Sequence, residues 1–230
     1  MNYRYTYLLM GLLFLLIWLC LFIWRRDTRK EMFTMSLIFG FIGPFSDVLY
    51  TRDWWHPLTV TNTKIGPEAI IVGFAIGGIA SVIYEDIFKK KIRTRRVSRS
   101  RKRRDDLNFS IVLIISGGTL LGAFFFLGLG SLLSTVLAFG IPAVIIWIRR
   151  HDLILDSLAS GIFLLAVACF VYSVLQILTP GWIQAFWTFR YVPDITILSL
   201  PINDVLWYFL AGLFIGSLYE YWKEGKLVKA

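Results

Sequence analysis

Apolar residues run along this chain in seven long stretches, near positions 7–24, 32–50, 67–88, 109–129, 131–148, 153–178 and 201–222, separated by short segments that hold most of its charge. Each stretch is long enough, at about 1.5 Å of rise per residue, to cross the hydrocarbon of a bilayer. A chain of 230 residues that is 57% hydrophobic cannot bury seven such runs in one water-soluble core. The pattern therefore predicts a polytopic membrane protein of seven helices. The first run does not read as a cleaved leader: it is long, no small-residue cleavage site follows it, and its basic cluster, Arg25-Arg26, lies behind it.

The runs repeat. Residues 65–85 and 200–220 align without a gap; each opens with a proline and a carboxylate and closes on Tyr-Glu, as Tyr84-Glu85 and Tyr219-Glu220. The first run ends in Trp24-Arg25-Arg26-Asp27 and the fifth in Trp147-Ile148-Arg149-Arg150-His151-Asp152, so runs one to three answer runs five to seven. The predicted fold class is an all-α integral membrane protein with two parallel three-helix repeats and a connector helix, a 3+1+3 plan. Residues 1–88 form the first repeat, 89–130 a basic loop with the connector, and 131–230 the second repeat. An odd connector gives both units the same orientation, with the repeat axis along the membrane normal and a site expected where the halves meet. Gly77 answers Gly212 and Ser81 answers Gly216, while Gly73 and Gly118/Gly122 extend the small-xxx-small spacing of closely packed helices. Pro44 and Pro142 are expected to kink the second and fifth spans.

Charge sets the orientation. Of the 24 Lys and Arg, 20 fall at 25–30, 89–104, 149–150 and after Trp222, whereas the alternate loops hold only Arg4, Arg52, Lys64 and Arg190. The positive-inside rule then puts the amino terminus outside and the carboxyl terminus in the cytoplasm of a multi-pass cell-membrane protein. The net charge of +9 raises the question of nucleic acid. The run from Lys89 to Arg104 lies between two spans and lacks interleaved aromatics, so it reads as a topology signal that also attracts anionic lipid headgroups, with no nucleic-acid partner. Cys20 and Cys169 lie inside apolar spans and read as buried packing thiols. GxSxG, CxxC and phosphate-loop motifs are lacking, and no predicted span carries a lysine for a Schiff-base chromophore. His56 and His151 fall in loops on opposite sides, so no metal is expected. Oligomeric state is left open.

The intramembrane polar residues fall into two layers, since 17 residues from Glu68 to Glu85 span about 25 Å of helix. The outer layer holds Asp47, Glu68, Asn203 and Asp204; the inner layer holds Tyr84, Glu85, Asp86, Asp156, Tyr219 and Glu220. Pro67-Glu68 and Pro201-Ile202-Asn203-Asp204 have the form of helix starts, where proline fits the first turn and an acid complements the dipole. Carboxylates at that depth are also costly and seldom idle. Glu85 and Glu220 sit at carboxyl ends and are expected to pair with adjacent Lys and Arg. Trp54, Trp55, Trp182, Phe186, Trp187, Phe189 and Tyr191 gather in the outer loops, either as an interfacial belt or as the wall of a polyene pocket.

The chain resembles the membrane lycopene cyclases of the heterodimeric or fused type, whose halves are small three-helix repeats. The likeness rests on Tyr7 with its helix, Asp47 with Trp54 and Trp55, Ile65-Gly66-Pro67-Glu68, Leu200-Pro201-Ile202-Asn203-Asp204, and the two Tyr-Glu pairs. Members begin the third helix of each half with Pro-x-Glu-Glu or Pro-x-Glu-Asp, and the resemblance implies that those acids are catalytic. This chain departs twice, with Gly66-Pro67-Glu68-Ala69 in one copy and Asn203 for the first acid in the other, yet it keeps one acid at each aligned position. The implied activity is a redox-neutral, proton-initiated cyclisation of the ends of an acyclic carotenoid, an isomerase or intramolecular-lyase type of reaction needing no cofactor. Glu68 and Asp204 are then the acid/base pair, Asp47 the orienter and Asn203 a neutral hydrogen-bond partner, with Pro67, Pro201, Trp55, Tyr84, Glu85, Tyr219 and Glu220 in support. The competing class is a non-enzymatic lipid- or isoprenoid-binding or transport protein on the same scaffold.

Overall fold

A computed structural model of the chain describes residues 3–93, 99–188 and 194–229. Helices α1 (Thr6–Trp24), α2 (Arg29–Tyr50) and α3 (Glu68–Phe88) are followed by strand β1 (Lys90–Arg93). Helices α4 (Arg99–Phe125), α5 (Ser131–Arg149) and α6 (Ile154–Leu178) come next, the last preceded by a 3₁₀ turn at His151–Leu153. A short α7 (Trp182–Phe186) and a two-residue hairpin, β2 (Thr196–Ile197) and β3 (Leu200–Pro201), lead into α8 (Ile202–Gly216), α9 (Leu218–Lys223) and β4 (Lys226–Lys229). Among the described residues seven helical segments are long and apolar enough to cross a membrane, taking α8 and α9 as one.

α3 and α8 form the centre and are the two most buried spans. α1 and α2 pack on α3, while α5 and α6 pack on α8; α3 also meets α6 and α8 directly. Residues 75–86 of α3 are buried without a break, as expected of a helix surrounded by others. Large apolar side chains such as Leu16, Phe41, Ile114, Ile162 and Ile177 point outward, which suits a lipid face rather than a wet one.

Close helix approach explains the glycines of the central seams. A Cβ at Gly43 of α2 would stand 2.6 Å from the carbonyl oxygen of Ala69, and one at Gly212 of α8 would stand 2.6 Å from that of Ser160. Gly118 and Gly122 of α4 face open space instead, so the expected contact seam there is not formed. Cys20 is exposed on α1 rather than packed inside.

Both halves reach the inner side in the same way. Arg25 donates to both carboxylate oxygens of Asp27 and to the carbonyls of Glu85 and Lys90. Arg150 donates to both oxygens of Asp152 and to the carbonyls of Glu220 and Gly225. α3 and α9 each end on a left-handed residue, Lys89 (φ 50°) and Glu224 (φ 45°), and the strands that follow pair antiparallel with Lys90 opposite Lys229.

Three local features differ from the sequence expectation. α4 begins at Arg99, inside the basic run, and ends at Phe125 rather than near 129, so the connector helix projects beyond its apolar segment. The seventh span breaks at Ser217, just after Gly216 packs against Ser160, which splits it into α8 and α9. α5 starts at a glycine cap with no side-chain acceptor, and Asp53 from the distant outer loop supplies one, taking the Ser131 N–H at 2.6 Å and its hydroxyl at 2.5 Å.

Candidate functional site

A cavity of about 350 Å³ opens between the two halves, lined by residues of α1 to α6, α8 and the outer loops. Its lining is mostly apolar, with a small set of polar groups that converge from different elements. Asp47, near the end of α2, accepts a hydrogen bond from the Tyr7 hydroxyl of α1 at 2.8 Å. Asp204, in the first turn of α8, accepts one from the Tyr172 hydroxyl of α6, also at 2.8 Å. Each bond lands on Oδ2, and Oδ1 of each aspartate takes no bond among the described residues. Tyr50, on the same wall, accepts from Trp207 Nε1 at 2.9 Å and from Thr135 at 3.1 Å.

The outer loops close the top of the cavity with aromatic rings. Trp55 and Trp187 form an isolated antiparallel bridge, reinforced by His56 N–H to the Phe186 carbonyl (2.8 Å) and Thr188 N–H to the Trp54 carbonyl (3.0 Å). The Trp55 ring lies 4.3 Å from that of Trp187 and meets Tyr7 edge-on at 5.2 Å. Trp54, Trp55 and Trp187 are buried and line the cavity, while Trp182 and Phe186 pack behind them, so these five form a lid rather than a lipid-facing belt. Phe189 and Tyr191 lie outside the described residues.

The structure brings together some of the predicted residues and separates others. Asp47, Asp204 and Trp55 line the cavity. Glu68 does not: it is fully buried, its Oε1 accepts the Val60 N–H at 2.7 Å, which ties down the loop between α2 and α3, and its Oε2, beside Gly66, takes no hydrogen bond among the described residues. Asn203 is buried beside Asp204 in sequence but outside the cavity lining, and its Oδ1 has no partner. Pro67 caps α3 and Pro201 closes β3 before α8, both as helix starters. Tyr84, Glu85, Tyr219 and Glu220 belong to the inner end, where Tyr84 accepts from Lys90 Nζ at 2.5 Å and Tyr219 packs edge-on against Trp222.

Sequence reasoning also missed residues. Tyr172 was overlooked as the donor to Asp204; carrying the Arg25/Arg150 correspondence along α2 and α6 would have set it opposite Asp47. Glu31 was passed over as one more charge in a basic loop, yet it is buried and shares the inner end with Glu85 and Glu220. The expected pairing of Glu85 and Glu220 with basic side chains is not formed, because Arg25 and Arg150 contact their backbone carbonyls instead. The Arg25 guanidinium beside Asp27 holds that carboxyl below its usual range, chiefly through their hydrogen bond.

Fold and site together define a multi-pass helical membrane protein with an apolar, carboxylate-bearing cavity between its two halves. Residues 130–222 match the family model for lycopene cyclase, so this part of the chain is similar to lycopene cyclases. No curated protein and no solved structure matches the chain.

Proposed function

We propose that the chain is a carotenoid cyclase that closes a ring at the end of an acyclic polyene, with Asp47 and Asp204 as its acid/base pair. The observation that carries this reading is one apolar cavity in which each half presents an aspartate held by a tyrosine hydroxyl. The protein's own groups suffice for a redox-neutral sequence. A protonated carboxyl gives its proton to the terminal C=C, the tertiary cation is attacked by a neighbouring double bond of the same chain, and a six-membered ring forms. The second carboxylate then removes a proton from a carbon beside the resulting cation, so substrate and product are isomers. Tyr7 and Tyr172 fix the carboxyl orientation, and the faces of Trp55, Trp187 and Trp207 supply π density against the cation. A cavity of this size takes an end group and leaves the rest of a long polyene to the bilayer.

In this reading the chain comprises two parallel three-helix repeats joined by α4, as the recurring contacts of Arg25 and Arg150 suggest. The amino terminus lies outside, the lysine-rich β1–β4 pair lies in the cytoplasm beside anionic headgroups, and the cavity acids lie in the outer half of the membrane. Glu68 becomes a structural acid of the outer loop and Asp47 takes the place that the sequence motif gave it.

Expression in cells that accumulate lycopene tests the reading, with extracted pigments resolved by chromatography and absorption. A blue-shifted cyclic product is expected from the natural chain. Asp47→Asn and Asp204→Asn each remove it, while Glu68→Gln, whose amide oxygen still accepts from Val60, keeps it. Unchanged lycopene with well-inserted protein points to the binding or transport role, which Asn203 in place of the motif's first acid favours. Loss of product in Glu68→Gln alone returns the acid role to Glu68.

A further inference from the structure

At the opposite end of the bundle from Asp204, about 24 Å away along α8 and α9, four buried acids meet. Glu31 opens α2, Glu85 closes α3, Asp156 opens α6 and Glu220 lies in α9; none is more than 4% exposed. One carboxylate oxygen each from Glu31, Glu85 and Glu220 lies within 4.8 Å of the other two. Among the described residues, both oxygens of Glu85, both of Glu220, Oε1 of Glu31 and Oδ2 of Asp156 take no hydrogen bond from a donor outside the cluster, where the glutamates face one another carboxyl to carboxyl. Asp156 is held on its other oxygen by Ser160 at 3.4 Å and stands within Coulombic reach of the three glutamates. The basic groups nearby are otherwise committed: Arg25 and Arg150 to backbone carbonyls and to Asp27 and Asp152, and Lys90 to the Tyr84 hydroxyl.

The geometry points to a binding site for a hard divalent cation between Glu31, Glu85 and Glu220, with Asp156 nearby as a further negative charge. Donors within 4.8 Å of one another surround an ion at the 2.0–2.6 Å distances of Mg²⁺, Mn²⁺ or Ca²⁺. An all-carboxylate set with no imidazole or thiolate selects that class over zinc or copper. Buried anions this close need a compensating charge, and among the described residues no basic side chain makes an ion pair with Glu85 or Glu220. An ion here ties α2 and α3 to α9, far from Asp47 and Asp204. The His and Cys spacings that exclude a metal at sequence level say nothing of such a site, because its ligands come from three separate helices.

The test uses the full chain purified in a non-ionic detergent without anionic lipid, stripped with EDTA, then titrated with Mn²⁺. Electron paramagnetic resonance counts the bound ion and thermal unfolding reads its effect. One Mn²⁺ per chain is expected, competed by Mg²⁺ or Ca²⁺, with a rise in Tm of about 5–10 °C at a hundredfold excess over Kd. Glu85→Gln/Glu220→Gln removes both the binding and the rise. Glu31→Gln, a single neutral change, lowers the affinity at least roughly tenfold and serves where the double variant fails to insert. Absence of bound Mn²⁺ with a Tm indifferent to EDTA overturns the site and leaves protons as the compensating charge. Equal binding by the Gln variants also overturns it, since the ion then sits elsewhere.

Discussion

Alanine at Gly212 and at Gly118 should act with opposite sign, although the two changes are chemically identical and both fall in apolar helices. At Gly212 the added Cβ would stand 2.6 Å from the Ser160 carbonyl oxygen and 2.8 Å from the Gly161 Cα. Those distances fall roughly 0.7–1 Å short of ordinary contact, and both neighbours are backbone, so no rotamer change relieves the overlap. α6 and α8 must separate, at the roughly 1–3 kcal/mol typical of overpacking. Nothing lies within 4 Å of a Cβ at Gly118, where alanine adds about 0.5–1 kcal/mol by restricting the unfolded backbone. The two variants should therefore differ by about 2–4 kcal/mol. Reversible unfolding of purified protein in mixed micelles, titrated with SDS and followed by far-ultraviolet circular dichroism, measures the difference. Gly212→Ala should also weaken catalysis, because the same α6–α8 seam aligns Tyr172 with Asp204 about 12 Å farther along α8. A Gly212→Ala protein as stable as the Gly118→Ala one would refute the close approach of these helices.

Other predictions follow from single contacts. Tyr172→Phe removes the donor to Asp204 and should lower product formation from lycopene about 10–100-fold, equivalent to about 1.4–3 kcal/mol for a bond to a carboxylate, with little change in insertion. Asp53→Ala strips the acceptor from the first turn of α5 and should cost about 1–2 kcal/mol, read as a lower melting temperature. Asp27→Asn should change stability by less than about 1 kcal/mol, because the pair with Arg25 is partly exposed. The carboxyl of Asp27 is depressed in the folded state, so its small contribution is present above the unfolded value of about 3.9 and is lost as pH falls below it. A cysteine at Asn62 should react with a membrane-impermeant maleimide in intact cells and one at Lys226 should not; the reverse pattern would invert the topology.

What could be read from the sequence and what could not divide along physical lines. Seven apolar runs gave seven spanning segments, because in a bilayer each backbone must satisfy its own hydrogen bonds and run length alone selects the helix. The cavity acid Asp204 was legible because it sits on a motif at a helix start. Glu68 was expected beside Asp204 yet lies outside the cavity lining, since spacing along α3 cannot tell a first-turn carboxylate that turns inward from one that turns to a loop amide 8 residues upstream. The tyrosine partners were hidden for a related reason: Tyr7 and Asp47 are 40 residues apart, Tyr172 and Asp204 are 32 apart, and only helix packing makes them neighbours.

The inner acids show how a repeat can be visible while its consequence is not. Tyr84-Glu85 and Tyr219-Glu220 read as equivalent, and an anion at a helix carboxyl end is expected to pair with the adjacent Lys and Arg. In the structure the two glutamates instead approach each other. α3 and α8 are the central pair, so their closing glutamates meet, and α2 and α6 add Glu31 and Asp156 from either side. At the other end an aspartate from each half lines one cavity. The two carboxylate clusters differ in what surrounds them: tyrosine donors and open volume at Asp47 and Asp204, close packing without outside donors at Glu85 and Glu220. That contrast suits proton transfer to a bulky alkene at one end and capture of a small ion at the other.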